Sequence, residues 1–164
     1  GGGMMLFMDE ELGAYAKHIT TQAKIPHCWE FRHDHIGFNY RMPNINAALG
    51  CAQLENLDKY VASKRKVATE YIEHFKNVDG IDFFADPENT FSNYWLSAVV
   101  LKDKEFQLDF LQQTNDNGVM TRPIWELMNR LPMFENCQND GLKNTIYFAD
   151  RVVNIPSSVR LEDL

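Results

Sequence analysis

The sequence predicts a protein of mixed helices and strands that ends in a compact α+β unit, and three observations predict it. An apolar run, Met4-Met5-Leu6-Phe7-Met8, reads as a short buried strand and is followed at once by an acid-led helix. Apolar residues then recur at helical spacing from Pro43 to Gly80, in Ile45, Leu49, Leu57, Val61, Ala68 and Ile72. Beyond Gly80, strand-like and helix-like segments alternate as β-β-α-β-α, the pattern of a compact α+β unit.

Each element follows in order. The helix over 9–24 carries acids in its first turn and lysines later, as the helix dipole prefers. Residues 25–41, IPHCWEFRHDHIGFNYR, form a long irregular segment too aromatic to be disordered. Pro43 suits the opening turn of the long helix, and Gly80 ends it. Lys64-Arg65-Lys66 on that helix reads as a solvated basic face. Residues 81–85 and 93–101 read as strands, 104–117 as a helix ended by Gly118, and 119–125 as an extended segment broken by Pro123. A last helix over 142–153 runs into Pro156, which forces a turn.

Composition sets bounds on function. The chain has 164 residues, 45% of them hydrophobic and 24% charged, the balance of a folded globular protein. No apolar run approaches the roughly 20 residues needed to span a bilayer, so no membrane partner is expected. A net charge of −7 argues against a nucleic acid held by its phosphates. Cys28, Cys51 and Cys137 make no CxxC pair and no dense framework, which reads as a reducing cytoplasm.

Chemistry-bearing residues concentrate in 25–41. His27, Cys28, His33, Asp34 and His35 include good zinc ligands, but their spacing fits no common zinc module, so the expectation is no metal. A Cys28–His nucleophilic pair lacks any recognisable orienting group. Phosphate binding is the better prospect. Asn39, Tyr40 and Arg41 place an amide, a phenol and a guanidinium just before a helix start, where backbone N–H groups also point outward. On the residues alone, Arg41 paired with an acid and Tyr40 buried in a core are equally open.

The segment GFNYRMPNINAALGCAQLENLDKYVASKRKVATEY (37–71) closely resembles a stretch of the DegT/StrS-type sugar aminotransferases. The shared pattern runs without a gap through Gly37, Asn39, Tyr40, Arg41, Met42, Ala47, Ala48, Gly50, Ala52, Gln53, Leu54 and Glu55. The opening GGGMMLF, Thr121-Arg122-Pro123 with Trp125, and the closing NIPSS resemble further parts of that family. The resemblance implies the aspartate-aminotransferase-like fold, fold type I, with this chain as its C-terminal part. On that reading, 1–36 would be the end of the large cofactor-binding domain with an active-site loop, and 37–164 a small α+β domain reached by a long linking helix.

The same resemblance implies a pyridoxal 5'-phosphate enzyme that moves an amino group from glutamate to a keto nucleotide sugar. The wording of HDHIGFNYRMPNINAALGCAQLE and TRPIWELMNRLPMF is most similar to the subgroup that aminates C4 of UDP-4-keto-6-deoxy-N-acetylhexosamines for cell-surface sugars. Family members carry their cofactor-binding lysine shortly before a glycine run, in a context such as K-x-x-T-x-G-x-G-G-M. None of the lysines in these 164 residues has that context, so no catalytic residue is assigned and these residues alone are expected to be inactive. Their alternative role would be binding or assembly. Asn39 would reach the cofactor phosphate of a partner subunit, with Tyr40 and Arg41 shaping that site, which implies a homodimer with shared active sites. His35, on the active-site rim, together with Arg122 and Trp125, would lie near the sugar nucleotide. Trp125 reads almost as well as a packing anchor.

Overall fold

The computed structural model describes residues 2–163; Gly1, the first of the glycine run, and Leu164 lie outside them. The chain forms two compact units that divide after Asn56.

In the first unit the expected strand over 4–8 is not formed. Met4, Met5, Leu6 and Met8 are exposed, and no strand of the described residues pairs with them, so the ladder that would define a strand is missing. Helix α1 (Glu10–Thr20) begins where expected: Leu12 N donates to the Asp9 carboxylate at 3.0 Å, and Glu10 and Glu11 fill the first turn. It stops four residues before the expected end. Gln22 (φ 73°) and Ala23 (φ 49°) adopt left-handed backbone, which no helix can carry through. The irregular segment after it contains a two-residue antiparallel pair, β1 (Lys24–Ile25) with β2 (Arg32–His33).

The long helix of the sequence reading is two helices, α2 (Asn44–Leu54) and α3 (Leu57–Phe75). Asn56 makes the break. Its backbone N–H donates to Gln53 O at 3.2 Å instead of Ala52 O, and its own side-chain amide takes Ala52 O at 3.1 Å. A short amide side chain competing for the helical carbonyl in this way uncouples the next turn.

The second unit is a four-stranded antiparallel sheet, in the order β3 (Ile81–Phe83), β4 (Ser97–Leu101), β6 (Val152–Ile155), β5 (Arg122–Pro123), with helices α4 (Lys104–Asp116) and α5 (Lys143–Ala149) among its connections. Strand β4 alternates buried Ser97, Val99 and Leu101 with half-buried neighbours, the pattern of a sheet covered on one face. Val99, Leu101, Val153, Ile155 and Ile81 form the core, against which Tyr71 and Phe75 of α3 and Phe106, Phe110 and Leu111 of α4 pack.

Strand β6 is a correction to the sequence reading, which ran the last helix through 153. The helix ends at Ala149, and the buried Gln107 amide donates to both Ala149 O and Val152 O at 3.0 Å, fixing the turn between helix and strand. Val152, Val153 and Ile155 are β-branched, and they pair with β4 on one side and β5 on the other. Pro123 is tolerated because β5 is an edge strand.

The basic cluster on α3 is not a free solvated face. Lys64 donates to the Trp95 and Ser157 carbonyls. Arg65 pairs with Asp86 at 3.0 Å and lies over the Phe91 ring at 4.0 Å, and Lys66 pairs with Asp163 at 2.9 Å.

Candidate functional site

Two groups of residues carry the expected chemistry, one in each unit. In the first, α1 and the segment ahead of α2 run alongside each other. Phe38 N donates to Ile19 O at 2.7 Å, Tyr40 N to Thr20 O at 2.9 Å and Gln22 N to Phe38 O at 3.0 Å, with Thr21 and Asn39 bridged as in an antiparallel pair. Gly37 permits this approach. A Cβ there would stand 2.6 Å from Ala23 N and 2.8 Å from Gln22 Cα, both rigid backbone.

The crossing delivers Asn39, Tyr40 and Arg41 to the surface, all exposed. Tyr40 is 73% exposed and stacks on Phe38 with ring centroids 5.4 Å apart, so the reading of Tyr40 as core is overturned. No acid pairs with Arg41 among the described residues, which removes the salt-bridge reading as well. Tyr40 and Arg41 line a groove of about 500 Å3 with Thr20, Met42 and Pro43. Pro43, the N-cap of helix α2, lies at the edge of this groove and offers no side-chain cap. Asn39 does not line this groove; the guanidinium of Arg41 and the phenol of Tyr40 do, and both are donors that a phosphate dianion can use.

His35 takes a different role from a lone rim residue. Its Nδ1 lies 3.1 Å from Asp34 Oδ1, and His18 Nε2 lies 2.6 Å from the same oxygen. Hydrogen bonds from His18 and then His35 hold the Asp34 carboxyl down at about 2, against an ordinary 3.8. The sequence reading missed His18, because it sits sixteen residues away on α1. The other members of the expected cluster face elsewhere: His27 Nδ1 accepts from Glu30 N, and the His33 ring bonds Gln22 O.

In the second unit, Arg122 and Trp125 come together. They line one groove of about 500 Å3 with Trp95, Met120, Asn154 and Ser157. The position of Arg122 is set by its neighbour: Thr121, buried, shares a 2.6 Å hydroxyl contact with Thr114, and Asn115 donates to Thr121 O at 3.1 Å. Among the described residues the Arg122 guanidinium meets Met120 Sδ, at 3.4 Å, and no acid. Trp125 is 72% exposed, so its reading as a packing anchor is overturned. Trp95 was not singled out from sequence. Tyr94 takes a left-handed φ of 44° and is buried, and that kink turns Trp95 outward into the groove. The three cysteines are free and exposed, and no helix among the described residues is long and apolar enough to cross a membrane.

Comparisons with known proteins show the family and the fold. EpsN of Bacillus subtilis (strain 168) is 33% identical over 135 residues, covering 82% of this chain and 34% of EpsN. GDP-perosamine synthase of Escherichia coli O157:H7 is 29% identical over 157 residues, covering 95% of this chain and 42% of that enzyme. The chain thus spans well under half the length of these relatives. Among solved structures, the aminotransferase TlmJ from Streptoalloteichus hindustanus superposes with a TM-score of 0.85 at 21% identity, over 96% of this chain and 43% of TlmJ. That likeness bears out the α/β, aminotransferase-like fold that the motif implied, as a portion of the whole. The family model for DegT/DnrJ/EryC1/StrS aminotransferases matches residues 1–163, covering the glycine-fixed crossing, the exposed Asn39-Tyr40-Arg41 turn and the groove of Arg122 and Trp125 together, and the chain belongs to that family.

Proposed function

We propose that this chain is part of a pyridoxal 5'-phosphate-dependent aminotransferase that transfers an amino group from glutamate to a keto nucleotide sugar. The observation that carries this reading is the unpaired Arg41 beside exposed Asn39 and Tyr40, held ahead of α2 by the Gly37 crossing. When bound, the cofactor supplies the electron sink for moving the amino group. The chain's own residues bind and orient. Asn39, Tyr40 and the Arg41 fork hold the phosphate by charge-assisted hydrogen bonds. Because Asn39 serves a partner's cofactor, the working form is a homodimer with shared active sites. The exposed apolar residues Ile45 and Leu49 of α2 support a protein partner on that helix.

His35, Arg122 and Trp125 contact the sugar nucleotide. Arg122 has a free fork for a diphosphate, and the Trp125 and Trp95 rings offer flat faces for a base or sugar. The large-domain portion is read as running to Asn56, where the two compact units divide, because residues beyond the expected boundary at 36, Phe38 and Tyr40, hydrogen-bond to α1; the small domain then begins with α3. The free, exposed cysteines suit a reducing cytoplasm.

The sugar is a UDP-4-keto-6-deoxy-N-acetylhexosamine aminated at C4, on its way to cell-surface sugars. The uridine and the N-acetyl group rest on the wording of 33–55 and 121–134 alone, since a relative named above is a GDP-perosamine synthase. The test is the full-length protein incubated with pyridoxal phosphate, glutamate and the UDP- or GDP-linked 4-keto sugar, with product amines read by mass spectrometry. Amination of the UDP sugar supports the proposal. Amination of the GDP sugar alone overturns the substrate, and amination of neither overturns the activity. The 164 residues by themselves should give no cofactor-specific absorbance band, because none of their lysines stands in the family's context.

A further inference from the structure

We propose that His18, Asp34 and His35 form a binding site for one divalent late-transition-metal ion, zinc foremost. His18 Nε2 and His35 Nδ1 stand 2.6 and 3.1 Å from a single oxygen, Asp34 Oδ1, and the three donor atoms all lie within 4.8 Å of one another. Around a tetrahedral zinc, with bonds of about 2.0–2.1 Å, ligand atoms stand about 3.4 Å apart. The two nitrogen–oxygen pairs therefore part by less than about 1 Å, while the His18 and His35 nitrogens, within 4.8 Å of each other, settle at about 3.4 Å. Two imidazoles and a carboxylate select borderline divalent ions over magnesium or calcium, and three protein ligands leave a coordination position open to water.

The ligands sit on a fixed frame. His18 belongs to the last turn of α1, and its carbonyl accepts from Ala23 N at 2.8 Å. Asp34 N donates to Ala23 O at 3.3 Å. Both ligands are thus tied to Ala23, which is fully buried. The His18 and His35 rings meet at 88° with centroids 6.0 Å apart, so they are not stacked, and one nitrogen of each lies beside Asp34 Oδ1. Tyr15 closes one side, edge-on to His35 at 5.9 Å.

The expectation of no metal rested on the spacing of His27, Cys28, His33, Asp34 and His35; of these only Asp34 and His35 take part, and His18 from α1 supplies the third ligand. The site shares His35 with the proposed sugar-nucleotide contacts but uses none of Asn39, Tyr40 or Arg41, so metal binding is measured separately from cofactor binding. Coordination through Nδ1 leaves His35 Nε2 free for a second contact.

The experiment uses full-length protein, stripped of cofactor and metal by a chelator and then titrated with Co2+. The expected result is one Co2+ per chain with the visible bands of a tetrahedral nitrogen-oxygen site, displaced by Zn2+. His18→Gln and His35→Gln each weaken binding at least tenfold, with unchanged circular dichroism. His33→Gln, whose ring bonds the Gln22 carbonyl, leaves binding as it was. Should His18→Gln fail to fold, Asp34→Asn and His35→Gln, both on the exposed loop, decide the matter. Absence of stoichiometric binding overturns the proposal. So does binding that survives these substitutions, or a thiolate-to-cobalt charge-transfer band that assigns the ion to a cysteine.

Discussion

Gly37 passes so close to Ala23 that a Cβ on it would stand 2.6 Å from the Ala23 amide nitrogen. That amide is itself committed to His18 O at 2.8 Å, so it cannot give way without loosening the end of α1. Gly37→Ala is therefore expected to destabilise the first unit by about 2–3 kcal/mol, the range for forcing extra atoms into a filled space. Urea unfolding followed by circular dichroism measures it, and a loss below about 0.5 kcal/mol would show that the crossing is slack.

Arg122 and Trp125 share one groove but offer different contacts. Arg122→Ala removes an unneutralised fork, and Trp125→Ala removes a flat apolar face. In the full-length enzyme each is expected to raise KM for the nucleotide sugar about tenfold while kcat changes less than about threefold, the signature of lost uniform binding. Steady-state kinetics with glutamate held saturating separates the two constants. Wild-type KM and kcat in both variants would place these residues outside the sugar site.

Leu101 and Val99 lie at the centre of the sheet and are almost wholly buried. Truncating Leu101 to Ala removes packing against α3 and α4 with little room for collapse, and should lower stability by about 2–4 kcal/mol. Thermal unfolding of the purified variant checks this, and a change under about 1 kcal/mol would contradict the assignment of the core.

Asp163 ties the end of the chain to α3, accepting from Lys66 at 2.9 Å and from the buried Ser63 hydroxyl at 2.7 Å. The Lys66 and Ser63 hydrogen bonds hold its carboxyl below the usual 3.8. Because the folded value is the lower one, the stabilisation is complete above 3.8 and is lost as pH falls from there toward the depressed value. The difference in unfolding midpoint between wild type and Asp163→Asn should accordingly be present at pH 6 and shrink below about pH 4. A pH-independent difference would rule out the ion pair as its source.

How much of this was legible in the sequence depended on the range of the forces involved. Helix α1 was readable because its signals are local: the Asp9 cap and the first-turn acids lie within four residues of one another. Strand β6 was not, because Val152–Ile155 becomes a strand only by lying between β4 and β5, and Gln107, far away on α4, fixes where it begins. The break at Asn56 could have been read from a short amide side chain in the middle of a helical pattern, but the apolar spacing on both sides concealed it. The turn proposed to bind phosphate was visible through its residue types, and the structure adds that Asn39, Tyr40 and Arg41 are exposed and that Gly37 permits the crossing that presents them. His18 was missed because nothing local links it to Asp34; only the reversal through Gln22 and Ala23 brings the two together.

Cofactor affinity in full-length protein carrying Asn39→Ala or Arg41→Ala tests the central claim most directly. Stripped protein is titrated with pyridoxal 5'-phosphate and followed by absorbance. Losing one hydrogen bond to a charged group costs about 1.5–3 kcal/mol, so each variant should bind the cofactor at least tenfold more weakly than wild type. Wild-type affinity in both variants would mean that the turn ahead of α2 holds no phosphate.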